Sequence, residues 1–173
     1  MDTAIRINPG QVNAGETDLS SFYQGGGKII SYHGRNDETV TSALSEQFFT
    51  GVQSSLNLTI EDIHEFYRLF FLPGMNHCSG GLGAWSIGNV QKYPYDQALL
   101  NSKHNALLAL VDWVENGTAP ETLVGTKYEN DLIGGNITAQ RTYCPYPTVS
   151  KWDGVNDSNL ATSWKCMDVS GLC

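Results

Sequence analysis

The sequence predicts an α/β fold, and three observations carry that expectation. First, a short β-branched and aromatic run, Lys28-Ile29-Ile30-Ser31-Tyr32-His33, is closed by Gly34 and followed by apolar residues at helical spacing. Second, the same order returns: Glu65-Phe66-Tyr67-Arg68-Leu69-Phe70-Phe71-Leu72 has the composition of a buried strand, ends at Pro73-Gly74, and leads through a glycine-rich loop to a second helical pattern. Third, 173 residues suit one domain around one core and are too few for two ordinary ones.

The elements follow in order. Residues 1–24 are polar and rich in Gly, Asn and Ser, which reads as an entry loop with one short helical turn at Asp18-Leu19-Ser20-Ser21-Phe22. Gly25-Gly26-Gly27 then opens the first strand. From Thr39 onward Val40, Leu44, Phe48 and Val52 recur at helical spacing, predicting a helix with one apolar stripe that ends between Gly51 and Asn57. The loop after the second strand runs from Met75 to Gly88. Beyond it Leu107, Leu110, Val111 and Val114 share a helical face, with Gly117 placed as a C-terminal cap and Pro120 just past it. Two βα units thus occupy residues 25–117. Periodicity then fades, and 118–173 reads as an irregular tail with one edge strand, where Ile137, Ala139, Arg141 and Tyr143 alternate before Cys144-Pro145. With no internal repeat or low-complexity tract, 1–173 reads as a single domain.

Charge and composition exclude several partners. Ten Lys and Arg against 18 Asp and Glu give a formal charge of -8, and no basic patch exists to neutralise phosphates, so nucleic acid is not expected. The longest aliphatic run, Ala106 to Val111, is far below the roughly 18 to 20 residues of a membrane span, so no membrane partner is expected. Four Asn-x-Ser/Thr acceptors begin at Asn57, Asn116, Asn136 and Asn156, alongside four cysteines without Cys-x-x-Cys spacing. Together they predict a secreted protein. The start, Met1-Asp2-Thr3-Ala4-Ile5-Arg6, carries no apolar signal region, so the chain is expected to be the later part of something longer.

The chemistry falls in the two loops after the two strands. In open α/β sheets, functional groups gather at the carboxyl ends of strands, where loops converge on one crevice over a rigid sheet. The first loop, His33-Gly34-Arg35-Asn36-Asp37-Glu38-Thr39-Val40, places an acid just past a strand. The second, Pro73-Gly74-Met75-Asn76-His77-Cys78-Ser79-Gly80-Gly81, supplies an imidazole. An acid after one strand and a histidine after the next is the back half of the hydrolase order Ser, Asp, His. Asp37 would accept the Nδ1 proton of His77 and fix its tautomer, leaving Nε2 to deprotonate a serine.

Gly26-Gly27-Lys28 through His33-Gly34-x-x-Asp37, Phe66-Tyr67-Arg68-Leu69-Phe70, Pro73 through Gly81, Ala109 through Gly117 and Arg141-Thr142-Tyr143-Cys144-Pro145-Tyr146-Pro147 closely resemble the fungal tannase and feruloyl esterase family. The resemblance covers residues 18 to 166. It implies the C-terminal part of an α/β-hydrolase fold, with Asp37 and His77 as catalytic acid and base. It also implies that Cys78 bridges to a cysteine beside the nucleophilic serine. No Cys-Ser-x-Gly-Gly or Gly-x-Ser-x-Gly elbow precedes Asp37, so the serine, the oxyanion hole and a calcium-bearing lid would lie in a missing N-terminal part. The substrates implied are phenolic acid esters, gallates or hydroxycinnamates. The isolated chain is then expected to be inactive; the competing readings are an inactive fragment or a small secreted glycosylated binding module.

Ala84-Trp85-Ser86-Ile87-Gly88 imitates an elbow, yet it follows the histidine and has no strand before it, so Ser86 is not expected to be the nucleophile. His33, at the strand end before Gly34, is expected to pack, with lining the site as the alternative, and His64 and His104 have no functional context. No metal site is expected, because the histidines and cysteines lack a short paired spacing of the zinc kind. With Cys78 bonded outside the chain as the resemblance implies, Cys144 and Cys166 would staple the tail and Cys173 has no evident mate. Wholly internal pairing, with its three connectivities, remains the rival assignment.

Overall fold

A computed structural model describes residues 2–8, 10, 14–90 and 97–168; Cys173 and its pairing lie outside the described residues. At the centre, strands β1 (Ile29–Gly34) and β2 (Tyr67–Leu72) pair in parallel, with Ile29 opposite Tyr67 and Gly34 opposite Leu72. Their connection carries two helices, α3 (Ala43–Ser55) and α4 (Ile60–His64), after α1 (Asp2–Ile7) and α2 (Ser20–Gln24) in the entry segment. Helix α5 (Ala106–Asn116) follows the long loop after β2.

Side chains of the parallel pair divide between two clusters, because successive strand residues point to opposite faces. Tyr67 and Leu69 join Phe49 and Val52 of α3 and Ile63 of α4. Phe70 and Leu72 join Met75, Trp85, Ile87, Ala106 and Ala109 on the other side. The sheet is thus covered on both faces, which explains why its strands read as nearly unbroken apolar runs.

Local chemistry accounts for the helix limits. Thr59 and Asp62 form a reciprocal capping box that starts α4, and the Asn105 side chain accepts from the Leu107 and Leu108 N–H groups to start α5. Gly117, at φ 70°, closes α5 as the sequence predicts.

The faces of the helices differ from expectation. On α3, which starts at Ala43, Phe49 and Val52 are buried while Leu44 is exposed, and Val40 lies in the turn before it. On α5 the buried residues are Ala106, Ala109 and Trp113, whereas Leu107, Val111 and Val114 face solvent. Two small alanines let the helix lie close to the sheet, and Trp113 lies beside the Lys28 and Arg68 cations; the larger aliphatic stripe sits on the opposite side. Residues 118–168 are not irregular. They form two antiparallel hairpins, β3 (Leu123–Tyr128) with β4 (Ile137–Tyr143), and β5 (Val149–Trp152) with β6 (Trp164–Met167). A Cys144–Cys166 disulfide joins the residue after β4 to β6, the staple expected once the resemblance sets Cys78 aside.

Candidate functional site

Because β1 and β2 are parallel and end in register at Gly34 and Leu72, the loops that follow leave the same edge of the sheet. They meet over Gly34, which is buried and has no room for a side chain. A Cβ there would lie 2.7 Å from the Asn76 carbonyl oxygen and 2.9 Å from the Met75 carbonyl carbon, with the Met75 oxygen closer still. The loops are then sewn together. Asn36 N–H donates to the Met75 carbonyl at 3.1 Å, the Asn36 amide donates to Asn76 Oδ1 at 2.6 Å, and His77 N–H donates to Glu38 Oε2 at 3.3 Å.

The structure brings Asp37 and His77 side chain to side chain, with His77 Nδ1 2.9 Å from Asp37 Oδ2. Asp37 Oδ1 accepts the N–H groups of Thr39 and Val40, each at 2.8 Å. Burial pushes this carboxyl up, but the hydrogen bonds from Val40, the His77 ring and Thr39 outweigh it and hold Asp37 well below the usual carboxylate range. An ionised carboxylate can only accept, so His77 Nδ1 must carry the proton in this bond. The Asp37 side chain is 4% exposed and that of His77 45% exposed, which leaves the imidazole edge open to a reacting group. Among the described residues His77 Nε2 has no hydrogen-bond partner.

The His77 loop is built to hold one shape. Ser79 N–H donates to the His77 carbonyl at 2.8 Å, Asn76 N–H to that of Gly80 at 3.2 Å, and Gly83 N–H to that of Gly74 at 3.0 Å. Gly81 takes φ 102°, where a side chain would be strained and would also press on Asn76. From β3, Lys127 Nζ donates to the Gly81 carbonyl and to Asp131, both at 2.5 Å, and Trp85 Nε1 donates to the same Asp131 carboxylate. Asn89 fixes the Cys78 carbonyl at 2.8 Å. Cys78 itself is a free, exposed thiol at φ 63°, directly beside His77.

Other sequence candidates fall elsewhere. Ser86 is buried and its backbone bridges Thr126 of β3, so the imitation elbow is one end of a small sheet contact. His64 Nε2 donates to the Tyr146 carbonyl at 2.7 Å, and burial pulls its pKa down. His104 bonds Asn101 at 2.9 Å. Sequence reasoning preferred packing for His33 over lining the site, yet its Nε2 lies 3.2 Å from Asp37 Oδ2. Its place at the end of β1, four residues before the acid, was the one hint. Among the described residues no group of three or more His, Cys, Asp or Glu side chains is arranged to hold a metal ion, and no helix is long and apolar enough to cross a membrane.

A family described as tannase and feruloyl esterase matches residues 1–167. Probable feruloyl esterase B-1 of Aspergillus flavus is 38% identical over 95% of this chain, and probable feruloyl esterase B-2 of Neosartorya fischeri 36%. This chain spans 30% of the length of each. Among solved structures, an esterase from Aspergillus oryzae superposes at TM-score 0.87 with 38% identity, over 95% of this chain and 32% of that one. Feruloyl esterase B from the same organism reaches 0.84 with 32% identity, over 95% of this chain and 31% of its own. With residues 1–167 of its 173 matched, this chain belongs to the tannase and feruloyl esterase family.

Proposed function

We propose that this chain supplies the acid and the base of a serine-type carboxylic ester hydrolase acting on phenolic acid esters, and that the nucleophilic serine lies on a part of the polypeptide outside it. The chain would form the C-terminal part of an α/β-hydrolase fold, with the missing N-terminal part contributing the first strands, the oxyanion hole and any calcium-binding lid. One observation carries this reading: an exposed imidazole whose Nδ1–H is anchored on a caged carboxylate and whose Nε2 has no partner among the described residues.

In the reaction, His77 Nε2 takes the proton from the serine hydroxyl as the oxygen attacks the ester carbonyl. Asp37 stabilises the imidazolium formed. The proton then passes to the leaving alcohol, giving an acyl-enzyme, and His77 activates the water that releases the phenolic acid. Cys78, free and exposed next to His77, suits a disulfide to a cysteine beside the serine, which would lock the two loops at fixed separation. The solvent-facing stripe of Leu107, Val111 and Val114 supports a longer polypeptide, since a row of large apolar side chains is what a helix presents when its second packing partner lies elsewhere. All four sequon asparagines are exposed, in keeping with a secreted, glycosylated protein.

The test is hydrolysis of methyl ferulate and methyl gallate by the polypeptide that joins this chain to its nucleophile. His77→Ala should lower kcat by at least about a thousandfold, and the isolated 173 residues should show no turnover. Robust turnover by the isolated chain, or a mild loss in the variant, refutes the assignment.

A further inference from the structure

Asp37 faces a second histidine that the mechanism above does not use. His33 stands at the end of β1 with its side chain 12% exposed. Its Nε2 lies 3.1 Å from the Val40 carbonyl oxygen and 3.2 Å from Asp37 Oδ2. Both neighbours are acceptors, so Nε2 carries the proton; its hydrogen bond goes to the Val40 carbonyl, with Asp37 Oδ2 close beside it. On the other edge Nδ1 lies 2.7 Å from Ser45 Oγ of α3, which donates its hydroxyl proton when the ring is neutral. The ring is fixed at both nitrogens by groups from two different elements.

This ring acts on Asp37 by two routes. Directly, its Nε2–H faces Oδ2, the oxygen that accepts from His77. Indirectly, it holds the Val40 peptide by its carbonyl, while the N–H of that residue donates to Asp37 Oδ1. The two carboxylate oxygens then face four donors: the N–H groups of Thr39 and Val40 on Oδ1, and the rings of His77 and His33 on Oδ2. Removing His33 would free one side of Oδ2 and untie the turn at Val40, so the carboxyl group could rotate about its broad terminal torsion. His77, more exposed and bonded through a single nitrogen, cannot by itself fix the acid that is meant to fix it.

We propose that His33 is a positioning residue for Asp37: it holds the carboxylate so that Oδ2 stays in line with the His77 Nδ1 proton. The proposal rests on reading Asp37 and His77 as the acid and base of the site.

Two experiments test it. On the unmodified 173-residue chain, at a pH well above the ordinary histidine range, ring nitrogen NMR should find His33 as the Nε2–H tautomer with Nδ1 bare. The opposite tautomer overturns the proposal without any variant. In the polypeptide that joins this chain to its nucleophile, His33→Leu should lower kcat about tenfold at unchanged KM. His33→Gln, whose amide can present an N–H in place of Nε2, should recover most of that loss. Added to Asp37→Asn, His33→Leu should cost nothing further, because it acts through the carboxylate. A His33→Leu enzyme with the parental kcat, or losses that multiply in the double variant, overturns the proposal while leaving the role of Asp37 intact. An Asp37→Asn enzyme with the parental kcat removes the underlying reading, and the proposal with it.

Discussion

Replacing Gly34 by alanine inserts one methyl group between the two loops that carry Asp37 and His77. The added carbon would lie 2.7 Å from the Asn76 carbonyl oxygen, whereas ordinary contact begins at 3.4 Å. The atoms in the way are backbone, so no side chain can swing aside. The loops must part by at least about 0.7 Å, which stretches the His77–Asp37 hydrogen bond from 2.9 Å to about 3.6 Å, past the length at which it holds. A displacement of that order costs about a hundredfold in kcat, while crowding of this kind lowers stability by about 1 to 3 kcal/mol. Ester hydrolysis by the nucleophile-bearing polypeptide measures the first effect, and urea unfolding of the same variant measures the second. A folded Gly34→Ala enzyme with parental kcat would refute the reasoning, because the loops would then tolerate separation without losing the dyad.

Three further outcomes are expected. Asp37 is held below the usual carboxylate range in the folded state, so its contribution is fully present above about pH 4 and is lost as the pH falls through the folded value. The stability difference between the parent and Asp37→Asn in urea should therefore shrink toward acid, and a difference that grows would contradict this. Replacing both Cys144 and Cys166 by serine opens a link across 22 residues and should lower stability by about 3 kcal/mol in unfolding titrations. Lys127→Met removes the tie to the Gly81 carbonyl, so amide exchange in residues 76–81 should quicken while the parallel strands stay protected.

Much of the site was legible because its residues are neighbours of strand ends. The apolar runs of β1 and β2 stand out because both faces are covered, and Gly34 and Pro73-Gly74 mark where each loop begins. Acid and imidazole then follow in an order that few other arrangements produce. Helix α4 escaped notice although Thr59-x-x-Asp62 is a capping-box signal, because five residues are too short for periodicity to register. The facing of α5 could not be read from spacing: Ala106, Ala109 and Trp113 form one apolar stripe and Leu107, Val111 and Val114 another. Strands β5 and β6 have four residues each, and β3, as long as β1, carries Gly125, Thr126 and Lys127 where an apolar run would have announced it. The role of His33 depends on Ser45 and Val40 closing around it, which no local pattern announces.

The state of the His77 ring tests the account most directly. In this chain, at alkaline pH, nitrogen NMR should find the ring proton on Nδ1 and a bare Nε2, and Asp37→Ala should abolish that preference. A proton resident on Nε2 in the unaltered chain would contradict it, since the nitrogen meant to receive the serine proton would already be filled.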